Sequence, residues 1–198
     1  MKNIIIIIAL STFVTCNSWA QELRGLDKSP MDMAYFPDNF AHDRKFAPER
    51  KLGNSAIIRV TFSRPQKKDR EVFGGMVKYG EVWRLGANEA TEMKVYQDIK
   101  IGGHTLIGGT YAVFAIPDEN EWTLIFNTDL DEWGQYSYKE EHDVLRVKAS
   151  VISNDAIVEA LSIQFEDSGD GKAVMRIAWD QTIAELPIEV IVNPFLKK

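Results

Sequence analysis

Short apolar segments separated by glycine, proline and acidic turn residues follow Gly53, and they restrict the fold more than any other feature. The first segment, from Ile57 to Phe62, ends before a proline, a residue that cannot donate to a strand ladder. The glycine pair at 102–103 predicts a hairpin turn between a strand at 93–101 and a strand at 104–107. The segments therefore predict antiparallel β-structure.

Six further strands are expected at similar intervals, and a helical turn is suggested only by 154–160. These strands are 110–116, 122–126, 144–152, 159–166, 172–179 and 182–192. About nine short strands joined by tight turns predict an all-β fold, an antiparallel β-sandwich over residues 54–198. The pattern does not specify how the strands are connected, and a jelly-roll topology is compatible with it.

Residues 21–53 contain three prolines and several aromatic residues without a sustained helical or strand period. Too many aromatics are present for a free linker. We expect an extended N-terminal arm that packs on the domain.

The first twenty residues have the three parts of a secretory signal peptide. Lys2 is followed by an apolar run from Ile4 to Val14 and then by small residues ending at Ala20, which predicts cleavage before Gln21. We expect a periplasmic or extracellular protein without a transmembrane segment after cleavage. A minor alternative is lipid anchoring through Cys16.

Composition limits the chemistry further. The only cysteine, Cys16, leaves with the predicted signal peptide, so the mature chain would lack both a disulfide and a thiolate nucleophile. The formal net charge of −6 argues against nucleic acid as a partner, since phosphate binding needs clustered positive charge. The one basic run, at 67–70, is interrupted by Asp69 and is interpreted as a solvated loop.

No stretch carries a recognisable catalytic or metal-binding motif. His42, His104 and His142 are too far apart in sequence for a local zinc motif. Asp167 and Asp170 are typical of a solvated turn, although they could pair around calcium. We expect neither a metal nor a cofactor.

The segment 79–91 concentrates polar and aromatic groups between two glycines. Its candidate ligand-binding residues are Trp83, Arg84, Asn88, Glu89 and Thr91. An arginine beside a carboxylate and an amide could bind a planar anion or sugar hydroxyls, with the indole as an apolar platform. The alternative is structural: Arg84 pairs with Glu89, Asn88 completes a turn, and Trp83 fills the core.

A second cluster lies at 131–138, where three aromatic residues stand among polar ones. Trp133, Tyr136 and Tyr138 could stack against sugar rings, or they could fix a long loop to the edge of the sheet.

Several stretches together resemble domain-of-unknown-function family 2911. They are 29–35 (Ser-Pro-Met-Asp-Met-Ala-Tyr), 63–65 (Ser-Arg-Pro), 82–91 (Val-Trp-Arg-Leu-Gly-Ala-Asn-Glu-Ala-Thr), 109–111 (Gly-Thr-Tyr), 133–134 (Trp-Gly) and 143–147 (Asp-Val-Leu-Arg-Val). The resemblance extends over nearly the whole mature chain. It implies an exported bacterial protein without an established activity, and it adds Arg64 to the candidate residues. Asp69 departs from the glycine that the family tends to have before the arginine matching Arg70.

The sequence favours a non-enzymatic periplasmic or surface protein that binds a small molecule, a glycan or an envelope protein. One alternative is a hydrolase of envelope or glycan substrates in which Glu89 acts with Asp131 or Glu132. A second alternative is a purely structural envelope protein. Whether the chain is an enzyme stays open at this point.

Overall fold

A computed structural model describes residues 23–191, which form one large antiparallel sheet of nine strands. Helix α1 spans Phe40–Phe46, and single 3-10 turns span Pro48–Arg50 and Glu140–His142. The strands β1 to β9 are Met31–Phe36, Ile58–Ser63, Thr91–Val95, Ile99–Ile101, His104–Leu106, Gly109–Ile116, Glu121–Asn127, Asp143–Gly169 and Lys172–Val190. The predicted all-β, antiparallel fold is confirmed.

The sheet has the order β1-β2-β3-β6-β7-β8-β9-β4-β5, is not closed, and folds over itself through its longest strands. The first part of β8, up to Ser150, pairs with β7, whereas the part from Ser150 onward pairs with β9. This second part returns to the end of β2, where the Leu161 N–H donates to the Pro65 carbonyl at 3.0 Å. Phe36 of β1 and Phe165 of β8 lie 6.1 Å apart between ring centroids. The folded sheet therefore encloses its main core in the manner of a sandwich, and a smaller buried cluster of Ala90, Ala112, Phe114 and Ile125 lies apart from it.

Alternation along the strands decides which side chains enter the core. In β2, Ile58, Val60 and Phe62 are buried, while Arg59 and Thr61 between them remain partly exposed. Successive side chains of a strand point to opposite faces, so this period of two buries one face. Each large apolar side chain that becomes buried stabilises the fold by roughly 1.5–3 kcal/mol.

The predicted strand at 93–101 is two strands, β3 and β4, in different parts of the sheet. β3 lies between β2 and β6, whereas β4 lies between β5 and β9. The chain turns at Tyr96, whose N–H donates to the Ile57 carbonyl, and at Asp98, whose carboxylate accepts the Gly108 N–H. The alternation of apolar residues continues across the turn, so the pattern alone did not reveal it. The predicted hairpin at 102–103 is confirmed between β4 and β5.

The helical turn suggested at 154–160 is wrong, because these residues lie within β8. Shifts of register between Ser153 and Ser162 interrupt the alternation there. Extra residues of this kind bend a strand without ending it. The last four predicted strands are accordingly two long bent strands, β8 and β9.

The predicted arm contributes regular structure to the domain. Its residues 31–36 form β1, the edge strand that pairs with β2, and α1 follows. The signal peptide, Cys16 and Gln21 lie outside the described residues. Within 23–191, none of the helices has the length and apolar character needed to cross a membrane.

Candidate functional site

A cleft of about 330 Å³ opens beside the 83–91 segment. Its wall comes from the connection between β2 and β3, from the loop before β8, and from β9. The lining residues are Ser29, Pro65, Arg70, Met76, Val77, Trp83, Arg84, Gly86, Ala87, Asn88, Gln135 and Trp179. None of these residues is Asp or Glu, so the described part of the wall contributes positive charge and no carboxylate.

Two indoles form the apolar base of the cleft. Trp83 and Trp179 are buried and nearly parallel, with ring centroids 6.0 Å apart. Trp83 Nε1 donates to the Gly86 carbonyl at 3.2 Å, and its backbone pairs with Ala115 of β6. The proposed core position of Trp83 and its proposed role as an apolar platform are therefore compatible, since the same ring lines the cleft.

The backbone of the segment is bent at Leu85, which has a φ of 54° and a fully buried side chain. A left-handed conformation costs a residue other than glycine on the order of 1–3 kcal/mol and tends to occur at functional sites. Here Trp83 and Leu85 are both buried while Arg84 reaches the cleft. The strained backbone thus presents a guanidinium directly beside the core.

Arg84 is the least satisfied cation of the cleft. Its Nη1 donates to the Asn88 carbonyl at 3.2 Å, and its guanidinium lies 5.7 Å from the centre of the Tyr136 ring. Its Nε is buried and has no hydrogen-bond partner. Among residues 23–191, no carboxylate oxygen lies within 4 Å of it, so the expected pair with Glu89 does not form.

Gln135 lines the cleft on the side of the second cluster, and Gly134 before it approaches Arg84. Gly134 has a φ of 74°, and a Cβ added there would lie 3.2 Å from Arg84 Nη1. Glycine has no Cβ, so it adopts this backbone angle readily and lets the Arg84 guanidinium lie close to the backbone of residue 134. The buried Oε1 of Gln135 also lacks a partner, which places an unsatisfied acceptor and an unsatisfied donor in the wall of one cleft.

Asn88 and Arg70 complete the polar groups of the wall. Asn88 has a φ of 60° and donates from Nδ2 to Asp27 at 3.0 Å, so it fixes the N-terminal segment beside the cleft. Arg70 donates from Nε to the Lys67 carbonyl at 2.9 Å. The basic run at 67–70 is thus not simply a solvated loop, because Lys67 pairs with Asp180 at 2.8 Å and Arg70 lines the cleft.

Three of the candidate residues are occupied by interactions inside the protein and do not line the cleft. Arg64 donates to Asp32, to the Leu161 carbonyl and to Ser162 at 2.9–3.0 Å, which ties the end of β2 to β8. Thr91 is buried and donates to the Leu85 carbonyl at 2.7 Å.

Tyr138 is the third, and it donates to Asp143 at 2.6 Å and accepts from Arg146 at 2.7 Å. Burial, reinforced by the hydrogen bond to the Asp143 carboxylate, raises the pKa of Tyr138 to about 12.

The remaining candidates are exposed and do not line the cleft. Glu89 is exposed, and its backbone pairs with Trp133. Trp133 and Tyr136 are 58 % and 77 % exposed, so their rings are available to a ligand or partner. Asp131 and Glu132 do not line the cleft. The two carboxylates that a hydrolase would need are therefore not brought together across it.

In the described part of the chain, no three His, Cys, Asp or Glu side chains are grouped to hold a metal ion. His42 contacts Asp43 at 2.8 Å and His142 contacts Asp129 at 2.6 Å, on separate parts of the surface.

Arg70, Gln135 and Trp179 line the cleft, although the sequence did not single them out. Gln135 directly follows the Trp-Gly pair of the second cluster, which was the one available signal. Trp179 carries the ordinary pattern of a core strand residue, and only the fold brings it beside Trp83.

No curated protein and no solved structure shows significant similarity to the chain. A family described as "Protein of unknown function (DUF2911)" matches residues 47–188. This range includes the whole cleft wall except Ser29. The chain thus belongs to the DUF2911 family.

Proposed function

We propose that the mature chain is an exported, non-enzymatic binding protein whose cleft takes a small acidic ligand. Arg84 supports this proposal best, since its partly buried guanidinium lines an open cleft and has no carboxylate partner in the described chain. A buried donor without a partner costs about 1–3 kcal/mol, and a ligand oxygen that reorients the side chain would remove this cost.

An acidic sugar is the ligand class that fits this chemistry. Its carboxylate would bind the guanidinium of Arg84, its hydroxyls would meet the amides of Asn88 and Gln135, and its ring would lie on an indole. Exposed Tyr136, which lies beside Arg84, and exposed Trp133 could contact further sugar units of an envelope glycan. A hydrolytic role has less support, because the described cleft wall contains no Asp or Glu.

Export is part of the proposal and rests on the sequence of residues 1–20. Mass spectrometry of the protein recovered from the periplasm should find a chain that begins at Gln21. A recovered chain that retains residues 1–20 would contradict export by this signal.

Isothermal titration of the purified 21–198 chain with glucuronate and with glucose tests the binding function. We expect saturable binding of glucuronate and at least about tenfold weaker binding of glucose, because charge-assisted hydrogen bonds contribute about 1.5–3 kcal/mol. Arg84→Gln should reduce glucuronate affinity about tenfold or more. Lys172→Gln, which removes one positive charge from an exposed residue at the start of β9, is the matched control.

Equal affinity for the acid and the neutral sugar would contradict the proposed acidic ligand. Equal losses in Arg84→Gln and Lys172→Gln would show that general charge, and not the cleft, determines binding.

A further inference from the structure

Three cations cluster on the outer face of β1, β2 and β3, away from the cleft beside Trp83. Arg44 and Arg59 line a second depression of about 250 Å³, together with two tyrosines, Tyr35 and Tyr96. Lys94 adjoins them, with its Nζ 4.9 Å from the centre of the Tyr96 ring. Neither set of lining residues includes a member of the other.

Strand register brings two of these cations face to face. Arg59 of β2 is directly opposite Lys94 of β3, and Tyr35 of β1 is opposite Arg59 on its other side. The neighbours of Arg59 and Lys94 along each strand are buried, so both side chains point outward. Like charges directly opposite each other on a sheet are destabilising unless something neutralises them.

No acid of the described chain does so, as no carboxylate oxygen lies within 4 Å of Arg44, Arg59 or Lys94. Glu92, the acid on the outer face of β3, instead accepts the Asp131 N–H at 3.1 Å. Arg44 is positioned by the Asn54 carbonyl at 2.7 Å.

Several cations elsewhere on the same sheet are paired with acids of a neighbouring strand or of their own strand. Lys148 pairs with Glu121, Lys100 pairs with Glu189, and Arg176 pairs with Glu166 and Glu185. Acids thus lie beside the outward cations in these positions. In a chain with a net charge of −6, a group of three cations around Arg59 without an acid contrasts with these pairs.

We propose that Arg44, Arg59 and Lys94 form a second binding site, for a tetrahedral oxyanion such as a phosphate group. Two guanidinium forks and an ammonium supply the donors that such an anion binds, and the anion neutralises the opposed Arg59 and Lys94. Tyr35 and Tyr96 border the depression and would contact the apolar part of a ligand that carries the phosphate.

Titration of the 21–198 chain with inorganic phosphate, at constant ionic strength maintained with chloride, tests this site. Two-dimensional amide NMR should show saturable shifts at β2, β3 and α1. Arg59→Gln and Lys94→Gln should each weaken phosphate binding by about tenfold, since each removes a charge-assisted hydrogen bond. Lys172→Gln should leave the affinity within about twofold, because it removes the same charge from the start of β9, outside the proposed site.

Saturable shifts confined to β2, β3 and α1, with binding about tenfold weaker in both variants, would support the site. Absence of saturable binding would overturn it, as would equal weakening in all three variants. Phosphate binding that survives Arg59→Gln but is lost in Arg84→Gln would assign the anion to the first cleft and would also overturn this proposal. Thermal unfolding of each variant confirms that it is folded, so a loss of binding cannot reflect a loss of structure.

Discussion

Two clusters of this protein place an arginine beside a tyrosine, yet they differ in how far their polar groups are satisfied. In the first, Arg146 donates to Asp143 at 2.8 Å and to Tyr138 at 2.7 Å. Asp143 accepts from Tyr138 as well and is 8 % exposed. In the second, Arg84 has one carbonyl acceptor, the face of Tyr136 and a buried Nε without a partner.

The difference separates arginines that stabilise the fold from those that are available to a ligand. A saturated network of charged groups fixes the 138–146 segment, and removing one member leaves another unpaired. Arg64, which donates to three acceptors, stabilises the fold in the same way, although it lies in one of the stretches that carry the family resemblance. To identify an arginine that is available to a ligand, its hydrogen-bond donors without a partner are therefore a better guide than its position in a family motif.

Arg64→Ala should give the largest loss of stability among the variants that test this comparison. It removes the link from β2 to the Leu161 carbonyl and Ser162 of β8. We expect a decrease of about 1.5–2 kcal/mol in the free energy of unfolding, because hydrogen bonds from charged donors contribute this much. Urea denaturation measures the decrease, with Lys172→Ala as an exposed control that should change stability by less than about 0.5 kcal/mol. A loss of stability as small as that of the control would show that Arg64 does not stabilise the fold.

Tyr138→Phe should have a smaller effect, about 1 kcal/mol at neutral pH, because Arg146 and Asp143 retain each other. The effect should also depend on pH. The pKa of Tyr138 is about 12 in the folded protein and 10.0 as the unperturbed value, so the unfolded chain loses this proton first. The contribution is present below pH 10 and is lost as the pH rises towards 12.

Urea denaturation of wild type and Tyr138→Phe at several pH values follows this contribution. The difference between the two proteins should shrink above pH 10, whereas a constant difference across this window would contradict the raised pKa. The pKa values of Tyr79 and Tyr111 are also raised, chiefly by burial, but both residues are unchanged in the variant.

Arg84→Met should change stability least, by less than about 0.5 kcal/mol, and could raise it. The substitution removes one hydrogen bond to the Asn88 carbonyl but also removes the buried, unpaired Nε. Urea denaturation measures this change, and titration with glucuronate should show a loss of binding in the same variant. A decrease in stability comparable to that of Arg64→Ala would mean that both arginines are structural.

Strand alternation and turn residues were sufficient to predict the all-β antiparallel fold and its Gly102-Gly103 hairpin. Alternation and turn residues were insufficient in two places. Between β3 and β4 the alternation continues although the chain moves to a different neighbouring strand, and within β8 the strand continues through shifts of register. A period of two reports which face is buried, not which strand lies next to it. The N-terminal segment concealed β1 because this edge strand has apolar residues on both faces, with Met31 and Met33 exposed and Ala34 and Phe36 buried, so its sequence shows no period of two.

The sequence by itself determined the secondary-structure class, the family and the presence of a polar segment at 83–91. Local spacing was enough for these, since periodicity, turns and motifs are properties of neighbouring residues. Only the tertiary structure decided that Arg84 meets Gln135 and Trp179 at a cleft, that Arg64 and Tyr138 are saturated, and that Arg59 faces Lys94. These outcomes depend on contacts between residues distant in sequence. The fold decides which groups lie beside a charged side chain and therefore whether its hydrogen bonds are made.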